Sequence, residues 1–390
     1  MRARGKQSVG LVDRLVARAR RMRSGMLAPW MLPGAAAFYR ARWAWMLRRT
    51  PTVTGGEHLA NVDMKDIEEI IACDLCGQER FQPLFHAWAG KRRRHRYHVV
   101  RCPDCGFLYR QPGIKPERLG ELYSSGNYGR FLTGKYSRKR QTRYRLVMNA
   151  FSPLLSDGTG RRLLDFGCGA GLFLEVAHER GFECYGVDLS ADSIERAREH
   201  PWGANAYHGA PLDVPEIAAG GFDVLTLWSV LAHLATPVED FRMLRGLLAP
   251  DGVLLVLTVN ANSLYLKARR EHWNGFTPNH LKFFSPSTLT RLLTEAGFAA
   301  VTMPPMLPDS VTTGRAELTP RQLRRVRRTT EDGNTGNMLR AVAYNDGATP
   351  GALGITGHTR QLDTRAAVLA PAARGANQAP SPAGWQAGHQ

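Results

Sequence analysis

No stretch of this chain reads as a membrane span. Crossing a bilayer takes about 20 consecutive apolar residues in a helix. The longest uncharged run near the N-terminus, SGMLAPWMLPGAAAFY, is shorter and is broken by two prolines and two glycines. It follows RARRMR, as a signal-peptide core would, but the cysteines downstream read as thiolates and favour a cytoplasmic location. Acid is also scarce, with 34 Asp and Glu against 52 Lys and Arg, a net charge of +18. The excess is clustered in the first fifty residues, in KRRRHR at 91–96 and in RQLRRVRR at 321–328. Such runs attract nucleic acid or anionic surfaces. An arginine-rich solvated face is the plainer account. Basic residues interleaved with aromatics in AFYRARWAWMLRR fit a peripheral membrane contact. Solenoid-length repeats are absent. Apolar residues are not scarce: they make up 43% of the 390 residues, enough for a packed core.

Cysteine is rare, with six in all, yet four form two matching knuckles: Cys73-Asp-Leu-Cys76-Gly and Cys102-Pro-Asp-Cys105-Gly. Each C-x-x-C-G turn aims two thiolates at one point. Two such turns make a closed tetrahedral S4 site that suits Zn(II), with rubredoxin-like iron as the alternative. With all four ligands supplied by protein, the metal is structural. The C-x3-C-x2-C triplet of a radical-type iron–sulfur cluster is absent. Cys168 and Cys184 read as buried fillers. The segment FQPLFHAWAGKRRRHRYHVV then lies on a hairpin of a small zinc-ribbon-like module.

Five segments follow. Residues 1–63 lack a capped amphipathic period and read as a basic, disordered or peripheral extension. Met64, just before KDIEEIIACDLCG, reads as close to the start of the folded protein. The ribbon occupies 70–112, a helical connector 113–139, an α/β domain 140–345 and a disordered tail 346–390. Strands are expected at 163–167, 183–188, 205–209, 222–230, 253–259, 299–303 and 338–344, separated by helices. Ser190, Thr236 (with Glu239 completing a capping box) and the Ser-Pro start at Ser285 open three of those helices. Apolar strands alternating with helices imply a parallel sheet covered on both faces.

The first strand runs into Asp165-Phe166-Gly167-Cys168-Gly169-Ala170-Gly171 and then a helix. Glycines let the turn tighten and a ligand approach the main chain. Asp188, ending the second strand, can accept from a ribose diol. Together they point to a nucleoside-containing cofactor. A dinucleotide site has G-x-G-x-x-G. Here the spacing is G-x-G-x-G with an acid two residues earlier, unwelcome beside a pyrophosphate but suited to an ammonium. That favours S-adenosylmethionine.

With LLDFGCGAG, GVDLS, GGFDVLTLWSVLAHL, LAPDGVLLVLTVN and PNHLKFFSPSTLTRLLTEAGF in that order, the chain resembles the class I S-adenosylmethionine-dependent methyltransferases over roughly 140–345. The resemblance implies a Rossmann-like seven-stranded sheet, helices on both faces and the last strand antiparallel. It implies that Asp165, Gly167, Gly169 and Gly171 line the methionine part, that Asp188 holds the ribose, that Leu189 flanks adenine and that His208 to Leu212 edge it. An acid that often follows the third strand in the family is replaced by Ala210. Two carboxylates that accompany the histidine after the fourth strand in relatives are replaced by Ser229 and Ala232, so a metal-assisted mechanism lacks its ligands. His233 and His280 are the candidate bases. Tyr265, Trp273 and Phe276 are candidate walls for an acceptor, and Tyr123 and Tyr128 a candidate lid. The acceptor is expected to be a small molecule, a hydroxyl or carbon of a sugar or other metabolite. The alternatives are RNA or DNA gripped by the ribbon and basic runs, or a non-catalytic cofactor-binding scaffold. An N/D-P-P-Y/F motif for stacking a base is absent after the fourth strand.

Overall fold

The computed structural model describes residues 35–54, 68–89, 95–122, most of 141–155, 157–277, 279–302, Arg324 and 336–346. Tyr123, Tyr128 and, beyond Asp346, the expected tail lie outside the described residues. Among the described residues, no helix is long and apolar enough to cross a membrane.

Within the expected extension of residues 1–63, Ala35–Arg49 form helix α1. Tyr39 is buried, and Ala36, Trp43, Met46 and Leu47 are packed beside it against Leu84, Phe85, Leu264 and Tyr265. These positions fall on one helical stripe. Arginines between them mask the periodicity in the sequence. The Gln82 side-chain amide donates to the Leu47 and Thr50 carbonyls at 3.4 and 3.1 Å, fastening the helix end to the ribbon.

The ribbon comprises β1 (Glu68–Glu69), β2 (Gln82–Ala89), β3 (His95–Arg101), β4 (Leu108–Gln111) and β5 (Gly113–Ile114). The expected hairpin is formed by β2 and β3, antiparallel from Gln82 opposite Arg101 to Ala89 opposite His95. β4 adds antiparallel to β3, and β1 pairs with β5.

The α/β part follows as β6 (Arg162–Phe166), α2 (Leu172–His178), β7 (Glu183–Asp188), α3 (Ala191–Arg198), β8 (Ala206–His208), β9 (Phe222–Trp228), α4 (Pro237–Leu247), β10 (Leu248–Val259), α5 (Leu264–Arg269), β11 (Lys282–Phe283), α6 (Pro286–Glu295), β12 (Ala300–Thr302) and β13 (Met338–Tyr344). Seven strands form one sheet in the order β12-β13-β10-β9-β6-β7-β8. β13 runs antiparallel to both its neighbours, while β6 to β10 pair in parallel. The strand order reverses beside β6, and ligands of such sheets bind at the carboxyl ends near that switch.

Two of the three expected caps form. The Ser190 hydroxyl accepts from Ser193 N–H, and Ser285 with Thr288 makes a reciprocal capping box. Thr236 does not cap α4. Its backbone sits at φ −123° and ψ 63°, and its hydroxyl instead reaches the Asp240 carboxylate at 3.4 Å.

β11 has no counterpart in the sequence reading. It joins the ribbon, with Lys282 opposite Tyr109 and Phe283 opposite Leu108 in a sheet ordered β11-β4-β3-β2. Ribbon residues Cys73, Phe81, Val100, Phe107 and Tyr109 share one apolar core with Leu231, Leu234, Phe284, Leu289 and Leu292. Ribbon and seven-stranded sheet are therefore one packing unit.

Candidate functional site

The turn after β6 is built on left-handed backbone: φ is 74° at Gly167, 54° at Gly169 and 73° at Gly171. L-residues with a Cβ rarely adopt it. The first two glycines serve different ends. A Cβ at Gly167 would lie 2.5 Å from a Val230 methyl, whereas one at Gly169 would meet nothing within 4 Å. Gly167 is thus needed for packing, and Gly169 leaves an open approach to its backbone. Gly209, at the end of β8, is open in the same way.

Asp188 lies between these openings. One carboxylate oxygen accepts from Gly169 N–H at 2.9 Å and the other from Ser190 N–H at 2.8 Å. Burial raises its pKa, while those two N–H groups and His208 oppose the rise. Each oxygen retains further acceptor capacity. The His208 ring Nε2 donates to the Leu189 carbonyl at 3.2 Å, which holds that residue's backbone beside the cradle.

Asp165 is buried and accepts from the Thr226 hydroxyl at 2.7 Å. Burial, with Asp188 adding a like charge, pushes its carboxyl up to about 8. No described cation forms an ion pair with it. A carboxyl of this kind gains from a positively charged ligand group. These features fit S-adenosylmethionine: two open glycine positions, a carboxylate between them with acceptor capacity left, and a buried acid with no described cation paired to it.

Across the carboxyl edge, β9 ends at Trp228. Ser229 takes φ 65°, an uncommon conformation for a residue with a side chain, and its N–H donates to Leu257 at 2.7 Å. The following 3-10 turn, Leu231–His233, carries the first candidate histidine. Leu281 N–H donates to the Ala232 carbonyl at 2.7 Å, drawing the segment after His280 onto this turn. The two histidines named from the sequence therefore meet. Their rings stand edge to face, 4.8 Å apart at 90°. Nδ1–H of His280 donates to the Gly275 carbonyl at 2.6 Å, which leaves Nε2 as the acceptor nitrogen. Burial, then the neighbouring His280, pushes His233 down to about 3, opposed by a backbone hydrogen bond with Asn279. Burial also lowers His280, opposed by Gly275. Both rings are neutral near pH 7.

Tyr265, Trp273 and Phe276 belong to the cluster under α1, with Trp273 and Phe276 at 5.0 Å and its indole N–H on Asn337. Packing accounts for them.

The four knuckle cysteines converge. All their sulfur atoms lie within 4.8 Å of one another, with Cys73 and Cys105 at 3.5 Å and Cys76 and Cys102 at 3.4 Å. A tetrahedron with Zn–S bonds of about 2.3 Å has sulfurs about 3.8 Å apart, so the donor set and spacing fit one Zn(II). Gly77 and Gly106 follow the knuckles at φ 70° and 77°. Sequence reasoning missed the partner of the first knuckle. Lys282, 2% exposed, pairs with Asp74 at 2.6 Å. This ties β11, two residues past His280, to the cysteine cluster. No local pattern marks a contact across 208 positions.

Fold and site together define an α/β protein whose sheet edge is shaped for a nucleoside cofactor. A family profile described as a methyltransferase domain matches residues 136–303. The chain is similar to the ubiquinone biosynthesis O-methyltransferase of Chromobacterium violaceum, 31% identical over 168 residues, 39% of this chain and 71% of that protein. It is 30% and 32% identical to the proteins of that name from Psychrobacter arcticus and Neisseria meningitidis serogroup C, with 36% of this chain matched in each case. The chain spans 59% and 65% of their lengths. A solved S-adenosylmethionine-dependent methyltransferase from Archaeoglobus fulgidus overlaps 56% of this chain and 100% of its own, at 20% identity and a TM-score of 0.42. The chain belongs to the class I S-adenosylmethionine-dependent methyltransferases.

Proposed function

We propose that this protein transfers a methyl group from S-adenosylmethionine to a hydroxyl of a small-molecule acceptor, in the cytoplasm. The observation that carries the acceptor chemistry is the neutral histidine pair at the carboxyl edge, with His280 Nε2 left as a proton acceptor. The names of the relatives, O-methyltransferases, support a hydroxyl. Asp165, Gly167, Gly169 and Gly171 hold the methionine part, Asp188 the ribose and Leu189 the adenine. Bound there, the cofactor supplies a methyl on a sulfonium, electrophilic enough to need no metal. The chain's own work is alignment and proton removal. His280 takes the hydroxyl proton through Nε2, and Gly275 fixes its tautomer. His233 holds the ring in place and is itself too weak a base. A screen of labelled cofactor against metabolite extract and total RNA tests this reading; labelling of RNA alone would overturn it.

The four cysteines hold one structural Zn(II) in this reading, with no coordination position left for catalysis.

Asp188→Ala removes charge-assisted hydrogen bonds to the ribose. A loss of roughly 1.5–3 kcal/mol, about tenfold or more in cofactor affinity, is expected by calorimetry. Wild-type affinity would refute the ribose assignment.

Asp165 supplies a pH test. Unliganded, its pKa near 8 leaves the carboxyl mostly protonated at pH 7. A cationic ligand lowers that pKa, so binding expels a proton. Affinity should therefore rise with pH up to about 8 and level off above it. Calorimetry at pH 7 in buffers of different ionisation enthalpy should show proton release, and Asp165→Asn should abolish it. Binding without proton release would remove Asp165 from the cofactor's cationic end.

A further inference from the structure

Between α1, the ribbon and the loop after β10 lies a cavity of about 150 Å³, several times what one water needs. Trp43, Arg101, Leu108, Asn262, Lys267 and Ser285 line it. Its lining holds two cations and no carboxylate. Lys267 is 8% exposed, which is rare for lysine without a counter-charge. Its ammonium donates to both the backbone carbonyl and the side-chain oxygen of Asn262. An ammonium has three N–H groups, so one remains to be used. The charged group acting on Lys267 is another cation, Arg40 of α1. Arg101 spends one nitrogen on the Gln82 amide oxygen at 3.0 Å. Neither Lys267, Arg101 nor Arg40 pairs with a described carboxylate.

Holding like charges together around a hollow is unfavourable unless something negative fills it. We propose that this cavity binds an oxyanion group, a phosphate or a carboxylate, held by Lys267 and Arg101. The third N–H of Lys267 and the free guanidinium nitrogens of Arg101 supply charge-assisted hydrogen bonds, and Trp43 closes one wall.

The cavity also has a defined relation to the histidine pair. Residues 281–284 run from the Ala232 carbonyl to Ala261, whose N–H donates to Phe284 at 2.8 Å. From His280 to Ser285 is five residues, at most about 17 Å of extended chain. Ser285, on the cavity wall, therefore lies within that distance of His280 along the chain. The oxyanion is either a remote group of the acceptor or a separate small metabolite.

Isothermal calorimetry of the 390-residue chain with sodium phosphate, against sodium chloride at equal ionic strength, tests the site. Saturable one-to-one binding of phosphate is expected, weakened at least about tenfold in Lys267→Met and in Arg101→Gln. Lys267→Met keeps the side-chain length and removes the charge. If it does not fold, as judged by circular dichroism, Arg101→Gln decides alone. Absence of saturable phosphate binding, or unchanged binding in the folded variants, would overturn the proposal. The two sources separate in a second arm, the labelled-cofactor assay with its acceptor: phosphate competing with acceptor assigns the site to the acceptor, and phosphate binding without competition assigns it to a separate ligand. Because phosphate binding is read without turnover, its failure leaves the methyltransferase reading standing, and failure of that reading leaves this one.

Discussion

His280→Ala is expected to lower methyl transfer at least about a hundredfold while leaving cofactor affinity close to wild type. A positioned base contributes about a hundredfold to ten-thousandfold in rate, and the glycine turn and Asp188 are untouched by the substitution. Of the two touching histidines, His280 is the better base. Burial and its neighbour push His233 down to about 3, where a ring holds a proton poorly. His233→Ala should therefore act through the position of His280 and cost less. Both rings titrate below the usual value of 6.5, so the neutral base persists as pH falls past 6.5. Turnover should accordingly begin to fall at a lower pH than an ordinary histidine base would give. Single-turnover rates with labelled cofactor on the acceptor found by the screen, measured across pH, read both effects. Near-normal turnover in both variants would mean that neither histidine is the base and that alignment alone drives the reaction.

The second large effect is expected at the cysteine cluster. Cys76→Ser or Cys105→Ser should release the metal, read by elemental analysis of freshly purified protein. Metal binding at such sites is coupled to folding, with free energies on the order of 10 kcal/mol. In a free-standing ribbon the loss would stay local. Here β11 pairs with β4, Lys282 pairs with Asp74 beside the first knuckle, and Cys73 and Cys102 belong to the core that contains Leu231 and Phe284. The loss should reach the whole unit and lower a single melting transition. A share of even about 3 kcal/mol would shift Tm by about 6–12 °C. Wild-type protein without zinc or iron would reject the metal site. A separate early transition, with the main one unmoved, would reject the coupling.

The sequence by itself determined what is local. Glycine spacing marked the turn after β6. Apolar runs bounded by caps marked all seven strands of the main sheet to within a few residues, apart from an earlier start to β10 at Leu248. Two C-x-x-C-G turns named four sulfurs that do converge. Each of these signals is written within about ten residues, at the scale where backbone conformation and side-chain spacing are set. Thr236 shows the limit even there, since a good capping residue failed when its backbone was held away from the β region.

Only the tertiary structure decided which distant groups meet. Helix α1 gained order from burying Tyr39 against residues more than forty positions away. The pairing of His233 with His280 is supported by hydrogen bonds that tie the two segments, from Leu281 N–H to the Ala232 carbonyl and between His233 and the Asn279 backbone. The seating of the ribbon depends on a two-residue strand and a buried lysine. Such contacts leave no period in the sequence, because each is stabilised by the packing of the whole rather than by its neighbours along the chain.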